Sequence, residues 1–197
     1  MQENQRQKQK KQTRKHIIET ALNQYAAEGL IKTPTTAVAK AAKVSHGTIF
    51  AHFSTQEELL IAVIDEFGSR INMRLHELAS GKSGVHGVLE AHLEGLTEFE
   101  GFYTRLVIEN PLLPKDVRNT FIMIQSTISY HLCQEIDREI KEGNILPLPT
   151  HMVFNGWIGL IHYYLTNNDL FSPGESVLKR HGKDLLRYYM SLIKPKK

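Results

Sequence analysis

The stretch from Val44 to Leu59, VSHGTIFAHFSTQEEL, holds the side chains whose types and spacing could do chemistry. Ser45 offers the hydroxyl of a helix N-cap, and His46, Thr48 and His52 carry hydrogen-bonding groups around apolar Ile49 and Phe53 at helical spacing. Just upstream, Thr35 to Lys43 (TTAVAKAAK) reads as another short helix rich in small residues. Two short helices joined by a tight turn, the second showing polar and aromatic side chains outward, make a helix-turn-helix that reads the DNA major groove. Its chemistry is recognition, through hydrogen bonds and apolar contacts to base edges, rather than catalysis.

The residue sizes around the turn support this reading. Ala39 and Ala42 let the two helices approach, and Val38, Val44, Ile49 and Phe53 form the expected apolar seam beneath them. That leaves His46, Gly47, Thr48, Phe50, Ala51 and His52 nearest the outer face. A longer helix follows at once, because Ser54 with Glu57 and Thr55 with Glu58 both fit the capping-box spacing.

Almost every other segment also favours helix, and no alternating stretch argues for a strand. The expected helices are 13–28, 36–42, 46–52, a fourth from Ser54 or Thr55 to Leu78 or Ala79, then 85–98, 99–109, 115–142, 150–166 and 175–193. The boundary at Phe99 is weak enough that 85–109 also reads as one bent helix. Pro111 and Pro114, Gly143 to Pro149, and Asn167 to Gly174 are the breakers, and Ser80-Gly81-Lys82-Ser83-Gly84 is the clearest linker. The fold class is all-α: an N-terminal three-helix unit joined by a long helix to a second helical domain.

Composition narrows the function classes. A chain of 197 residues with 41% hydrophobic and 23% charged side chains has room for a core and is not disordered. No apolar run approaches the roughly 18 residues of a membrane span, so no membrane partner is expected. The polar, basic start does not read as a secretory signal, and a single cysteine, Cys133, fits a reducing cytoplasm. Residues 1–56 hold nine Lys/Arg against three acids, whereas the remainder holds 15 against 18. A basic end on an acidic body is the footprint of a DNA-facing domain. No phosphate-cradling glycine loop and no G-x-S-x-G element is present, so an enzyme is not expected. The ten histidines include no i,i+4 pair, and neither metal nor cofactor is expected.

Residues 13–60 resemble the DNA-binding domain of TetR-family transcription regulators. The matching positions are Ile17, Ala21, Gly29, Thr35-Thr36, Val38-Ala39, Val44-Ser45, Gly47-Thr48-Ile49, His52-Phe53 and Glu57-Glu58-Leu59. The resemblance implies a homodimer whose third helices enter successive major grooves of a near-palindromic double-stranded operator, held together through the last two long helices. Carried over by position, it implies phosphate binding by Thr35 and a base or phosphate contact by Thr36. It implies base reading or backbone clamping from Ser45, His46, Gly47, Thr48, Ala51 and His52. Three positions depart from the family: Lys43 replaces a turn glycine, Phe50 a tyrosine whose hydroxyl would bind phosphate, and Gln56 a lysine. The basic tail (Lys8, Lys10, Lys11, Arg14, Lys15) is expected to compensate along the DNA backbone or minor groove.

The expected division is residues 1–56 for DNA binding and 57–197 for effector binding and dimerisation. Phe99, Phe102, Tyr103, Met123, Ile124, Thr127, His131, Trp157 and His162 are candidates for lining an effector cavity, with walls suited to a small hydrophobic or amphipathic molecule. The function expected on this basis is a repressor released from its operator by such an effector. A regulator that is constitutive or controlled by a protein partner stands as the alternative.

Overall fold

Thr13, where the sequence places the start of the first helix, lies well inside it: α1 spans Gln5–Glu28. The structure, a computed structural model, describes residues 5–79 and 84–196. The first four residues of the basic tail and Ser80 to Ser83 of the linker lie outside the described residues. The early start has a local cause. Residues 5–12 are Gln, Lys and Arg alone, all good helix formers, and nothing among them breaks a helix. Gly29, at φ +97°, stops α1 in the left-handed conformation, its N–H bonding to the Tyr25 carbonyl at 3.0 Å.

The chain continues through α2 (Thr35–Ala41), α3 (His46–His52), α4 (Gln56–Ala79), α5 (Gly84–Glu98), α6 (Glu100–Glu109), a 3-10 turn at Asn110–Leu112, and α7 (Lys115–Lys141). It closes with α8 (Thr150–Thr166), a single turn α9 (Asn168–Phe171), and α10 (Val177–Ile193). No strand occurs among the described residues. Two differences from the sequence pattern are informative. α9 falls inside a stretch read only as breakers. α10 begins two residues late, because Ser176 is its cap, accepting from the Lys179 N–H at 3.1 Å.

Two compact units result, one of residues 1–68 with 101–121 and the other of residues 69–100 with 122–197. In the first, α6 closes on the end of α1. Arg105 donates to the Ala27 carbonyl at 3.3 Å, and the Glu109 carboxylate accepts from the Ile31 N–H at 2.7 Å, fixing the turn that feeds α2. Phe67 lies 5.2 Å from Phe102 and stacks on Tyr103 at 5.7 Å, with Phe121 edge-on to Tyr103. Ile17, Ala21, Tyr25, Val38, Ile49 and Leu59 fill the rest of this core.

Within that unit a four-residue turn joins α2 to α3. Ala42 caps α2 through its N–H on Val38, and Lys43 takes the left-handed region at φ +56°. The Val44 N–H then returns to the Ala39 carbonyl at 3.0 Å. Ser45 starts α3, its Oγ accepting from the Thr48 N–H at 3.1 Å. From α1, His16 Nε2 meets the Ala42 carbonyl at 3.0 Å and the Arg14 guanidinium lies 4.7 Å over the Phe53 ring. α4 is entered through Thr55, whose hydroxyl accepts from the Glu58 N–H at 3.1 Å, while the Glu58 carboxylate reaches back to the Ser54 N–H at 2.6 Å.

The second unit packs α10 against α5 and α8. Gly182 permits the approach to α5: a Cβ there would stand 2.9 Å from Leu93 Cδ2. Glu100 caps α10 from outside, accepting from the Val177 N–H at 2.8 Å and from the Ser176 hydroxyl. At the centre the fully buried Trp157 indole donates to His92 Nδ1 at 3.1 Å, and the Tyr189 hydroxyl donates to the Val153 carbonyl. The indole bond requires a lone pair on Nδ1, so His92 is neutral. Burial, with His162 nearby adding to it, pushes its pKa from 6.5 down to about 4.

Lys43→Gly removes the steric cost of a left-handed non-glycine residue, so the urea midpoint should rise by the equivalent of about 1 kcal/mol. Unchanged or lowered stability would mean that the turn carries no such cost. His92 takes up a proton near 6.5 when unfolded and only near 4 when folded. The unfolded chain therefore binds more protons between those values, and stability should fall by roughly 3 kcal/mol from pH 7 to pH 4 on this account alone. Denaturation of the wild type and of His92→Gln at both pH values checks it: the variant should show the smaller drop.

Candidate nucleic-acid interface

The sequence-predicted residues of the helix-turn-helix come together around one exposed helix. On α3, His46, Gly47 and Ala51 are exposed, Phe50 is 44% exposed, and Thr48 and His52 are half-buried. Ile49 and the following Phe53 point into the core, with Val38 beneath them, while Val44 is half-buried. At the outermost line of α3 stand Gly47 and Ala51, which add almost no bulk. The backbone of α3 can therefore approach a groove floor closely, and side chains with functional groups lie on its two flanks.

One flank faces α2. Thr35 is only 8% exposed, and its hydroxyl meets His46 Nε2 at 2.9 Å. That bond orients the imidazole and ties the start of α2 to the start of α3. The Phe50 ring meets His46 edge-on at 4.8 Å. The pair forms a single aromatic ridge with a polar nitrogen edge. Thr36, beside buried Thr35, is exposed. Ser45 and Thr48 share a hydroxyl–hydroxyl bond of 2.8 Å, so the cap and the Thr48 side chain are held as one group. Lys43 and Gln56, at the two ends of the α3 neighbourhood, are exposed.

The other flank faces α1, and sequence reasoning missed what it forms. Arg6, Lys10 and Thr13 from α1 and Thr48, Ala51 and His52 from α3 line a groove of about 690 Å3. None of the groove's lining residues is a carboxylate. His52 Nδ1 is buried and makes no hydrogen bond, and burial, followed by the charges of Lys10 and Arg14, lowers the pKa of the ring. The available signal was the i,i+4 spacing of Arg6, Lys10 and Arg14 with no breaker ahead of Thr13.

The effector candidates are not brought together in this way. Phe102 and Tyr103 belong to the first unit's core, packed on Phe67. In the second unit, Met123, Thr127 and His131 lie on an exposed face of α7, Thr127 bonding back to the Met123 carbonyl at 3.0 Å. Ile124 is buried, Phe99 is half-buried between α5 and α6, and Trp157 is engaged by His92. His162 is half-buried, and burial lowers its pKa to about 4. Met123, Thr127 and His131 share a face by their i,i+4 spacing, but spacing alone does not say that the face is turned to solvent.

Among the described residues no three His, Cys, Asp or Glu side chains gather as metal ligands would, and no helix is long and apolar enough to cross a membrane.

Residues 17–63 match the model of the bacterial regulatory proteins of the tetR family. An HTH-type transcriptional repressor of Mycobacterium tuberculosis is 35% identical over 63 residues, 32% of this chain and 34% of the relative. The chain thus spans about a third of the length of such relatives in these matches. The fatty acid metabolism regulator protein of Bacillus subtilis is 26% identical over 188 residues, covering 87% of this chain and 95% of that protein. In fold, the chain resembles the crystal structure of the transcriptional regulator FadR from Bacillus subtilis in complex with stearoyl-CoA. That likeness has a TM-score of 0.76 at 20% identity over 90% of this chain and 97% of the other. These relatives are transcriptional regulators, not enzymes. The capped turn and the exposed α3 lie within the stretch that matches the tetR-family model, and the whole chain shares the fold of a transcriptional regulator.

Proposed function

We propose that this protein is a DNA-binding transcriptional regulator whose α3 reads the major groove of a near-palindromic operator. The observation that carries the reading is the α3 face itself: exposed, bare of bulk at Gly47 and Ala51, and set on a rigid capped turn. Base discrimination falls to His46, Thr48 and Phe50, with Thr36, Lys43, Ser45, His52 and Gln56 near the sugar–phosphate backbone. Thr35 acts through His46, because its hydroxyl is committed to that ring. The DNA-binding part in this reading is residues 1–56, with 57–197 serving effector binding and dimerisation.

The homodimer forms through α8 and α10. Met152, Gly159 and Tyr163 repeat at helical spacing along the exposed side of α8, and Tyr188 and Leu192 do so on α10. A Cβ at Gly159 would meet nothing within 4 Å, so the glycine answers no need of its own chain. It suits the close approach of a second helix, at a cost of about 1 kcal/mol in helix propensity.

The effector is a small hydrophobic or amphipathic molecule, and the protein is a repressor that it releases. Support comes from relatives named as repressors and from the fold shared with a regulator crystallised with stearoyl-CoA. The effector must bind the released conformation better than the DNA-bound one, since equal affinity would shift nothing. α4 runs through both units and is the continuous element able to carry the change.

Selection of the full chain against random double-stranded DNA tests the reading, with stearoyl-CoA then added to the selected complex. An enriched palindrome is expected, weakened about 5- to 200-fold by His46→Ala and released by the acyl-CoA. Salt-sensitive binding without enrichment would overturn sequence-specific regulation, and enrichment without release would overturn the acyl-type effector. Gly159→Arg should yield monomers in sedimentation while the chain keeps its helical content by circular dichroism. A dimer that survives it would place the interface elsewhere.

A further inference from the structure

The bond between Thr35 and His46 has a direction, and that direction decides what the imidazole can offer a base. Thr35 Oγ1 lies 2.9 Å from His46 Nε2. A neutral imidazole has one N–H and one lone pair, while a hydroxyl has a single hydrogen to give and lone pairs to receive. Two arrangements therefore fit the distance: the hydroxyl donates to a bare Nε2, or an Nε2–H donates to the hydroxyl. They differ in what becomes of the Thr35 hydrogen. Thr35 is 8% exposed, and its hydroxyl makes no other hydrogen bond among the described residues. If it only accepted, its own hydrogen would be left without an acceptor in a nearly closed site, which carries the full desolvation cost of an unpaired donor. Donation by Thr35 satisfies both partners. It also places the ring proton on Nδ1, which makes no hydrogen bond among the described residues.

His46 is exposed and is the first residue of α3, and the N-terminal residues of a recognition helix are those that reach base edges. Phe50, one turn on, braces the same ring edge-on at 4.8 Å. Resting on the DNA-binding reading above, we propose that Thr35 determines specificity from behind the interface: by donating to Nε2 it fixes His46 as an Nδ1–H donor, which selects a guanine in each half-site. The base edges differ in how they meet a fixed donor. Guanine shows two adjacent acceptors, O6 and N7, in the major groove, whereas cytosine shows an amino group. Adenine sets an amino group beside its N7, and thymine sets a methyl beside its O4. Guanine therefore receives the proton over the widest range of approach, and cytosine leaves two donors facing each other. The opposite tautomer would present a lone pair and favour an amino group instead. Thr35 touches no base in this arrangement; it is a positioning residue whose hydrogen is already committed to the ring. A hydroxyl that gave its hydrogen to a phosphate would force the opposite tautomer, so the two roles exclude each other.

Two measurements on the full-length protein test this. Long-range proton–nitrogen NMR of histidine-labelled protein, at about pH 8 and so above the ordinary titration range of histidine, reads the tautomer directly. A protonated Nδ1 and a bare Nε2 are expected at His46 in the wild type and in Thr35→Ser. Thr35→Val, which keeps the shape without the hydroxyl, should lose that preference. Selection of each protein against random double-stranded DNA then reads the base. Wild type and Thr35→Ser should enrich a guanine at one position of each half-site, and exchanging it for cytosine should weaken binding about 5- to 150-fold. That preference should vanish in His46→Ala and relax in Thr35→Val, at this position alone. An Nε2–H in the wild type would overturn the proposal, and so would a base other than guanine at the His46-dependent position. A Thr35→Val protein that binds every sequence more weakly but keeps its guanine would overturn it as well, leaving Thr35 a structural or phosphate-binding group. Wild-type protein that enriches no duplex would bring down the DNA-binding reading on which the proposal rests, and the NMR signal, which needs no DNA, keeps the two failures apart.

Discussion

A left-handed backbone at Lys43 lets α2 end and α3 begin with only residues 42–45 between them. The direction of α3 depends on that one conformation. If residue 43 were right-handed, the Val44 N–H could not return to Ala39, and Thr35 could not reach His46. Left-handed lysine costs on the order of 1–2 kcal/mol against glycine. The local bond from Val44 and the long-range bond from His16 offset it. His16 is the important member, because it anchors the turn to α1 rather than to the motif itself. The turn is thus held from below, and on the outer face of α3 only His46, Thr48 and the Ser45 cap carry structural side-chain bonds.

Much of this was legible in the sequence because its causes are local. The Ser45 and Thr55 caps and the spans of α3, α4 and α8 are each written within a few residues of their ends. What stayed hidden has non-local causes. Residues 101–121 join the N-terminal unit because Arg105 and Glu109 find backbone groups 78 positions away, and no periodicity encodes that. The groove beside α3 stayed hidden for a related reason. Basic residues at a chain end read equally as tail or helix, and only packing shows which of their faces turns toward His52.

The second unit shows the same limit in a different form. α8 is apolar nearly all round, which in sequence means burial on more than one side. Within one chain only Val153, Phe154, Trp157, Ile161 and Leu165 are buried. Gly156 is explained by Tyr189, whose hydroxyl would lie 3.4 Å from a Cβ there, yet Gly159 faces open space. One face of α8 therefore has no explanation inside the chain. Aromatic residues at helical spacing misled in the opposite sense. Phe102, Tyr103 and Trp157 have the composition of a pocket wall, but each is already in contact with a partner that fills its space.

The two flanks of α3 do different physical work, and this determines how the interface can discriminate. On the α2 side the imidazole of His46 is held by Thr35 and braced by Phe50, so it presents a fixed edge. Fixed donors and acceptors discriminate well, because a mismatched base leaves them unpaired at full cost. On the α1 side the groups are long cationic side chains around a wide groove, which attract phosphate without regard to sequence. Gly47 and Ala51 between them contribute close approach, not contacts. Specificity in such an interface rests on very few side chains. In the proposed interface, the cations of α1 stand outside the motif and would add affinity without adding discrimination.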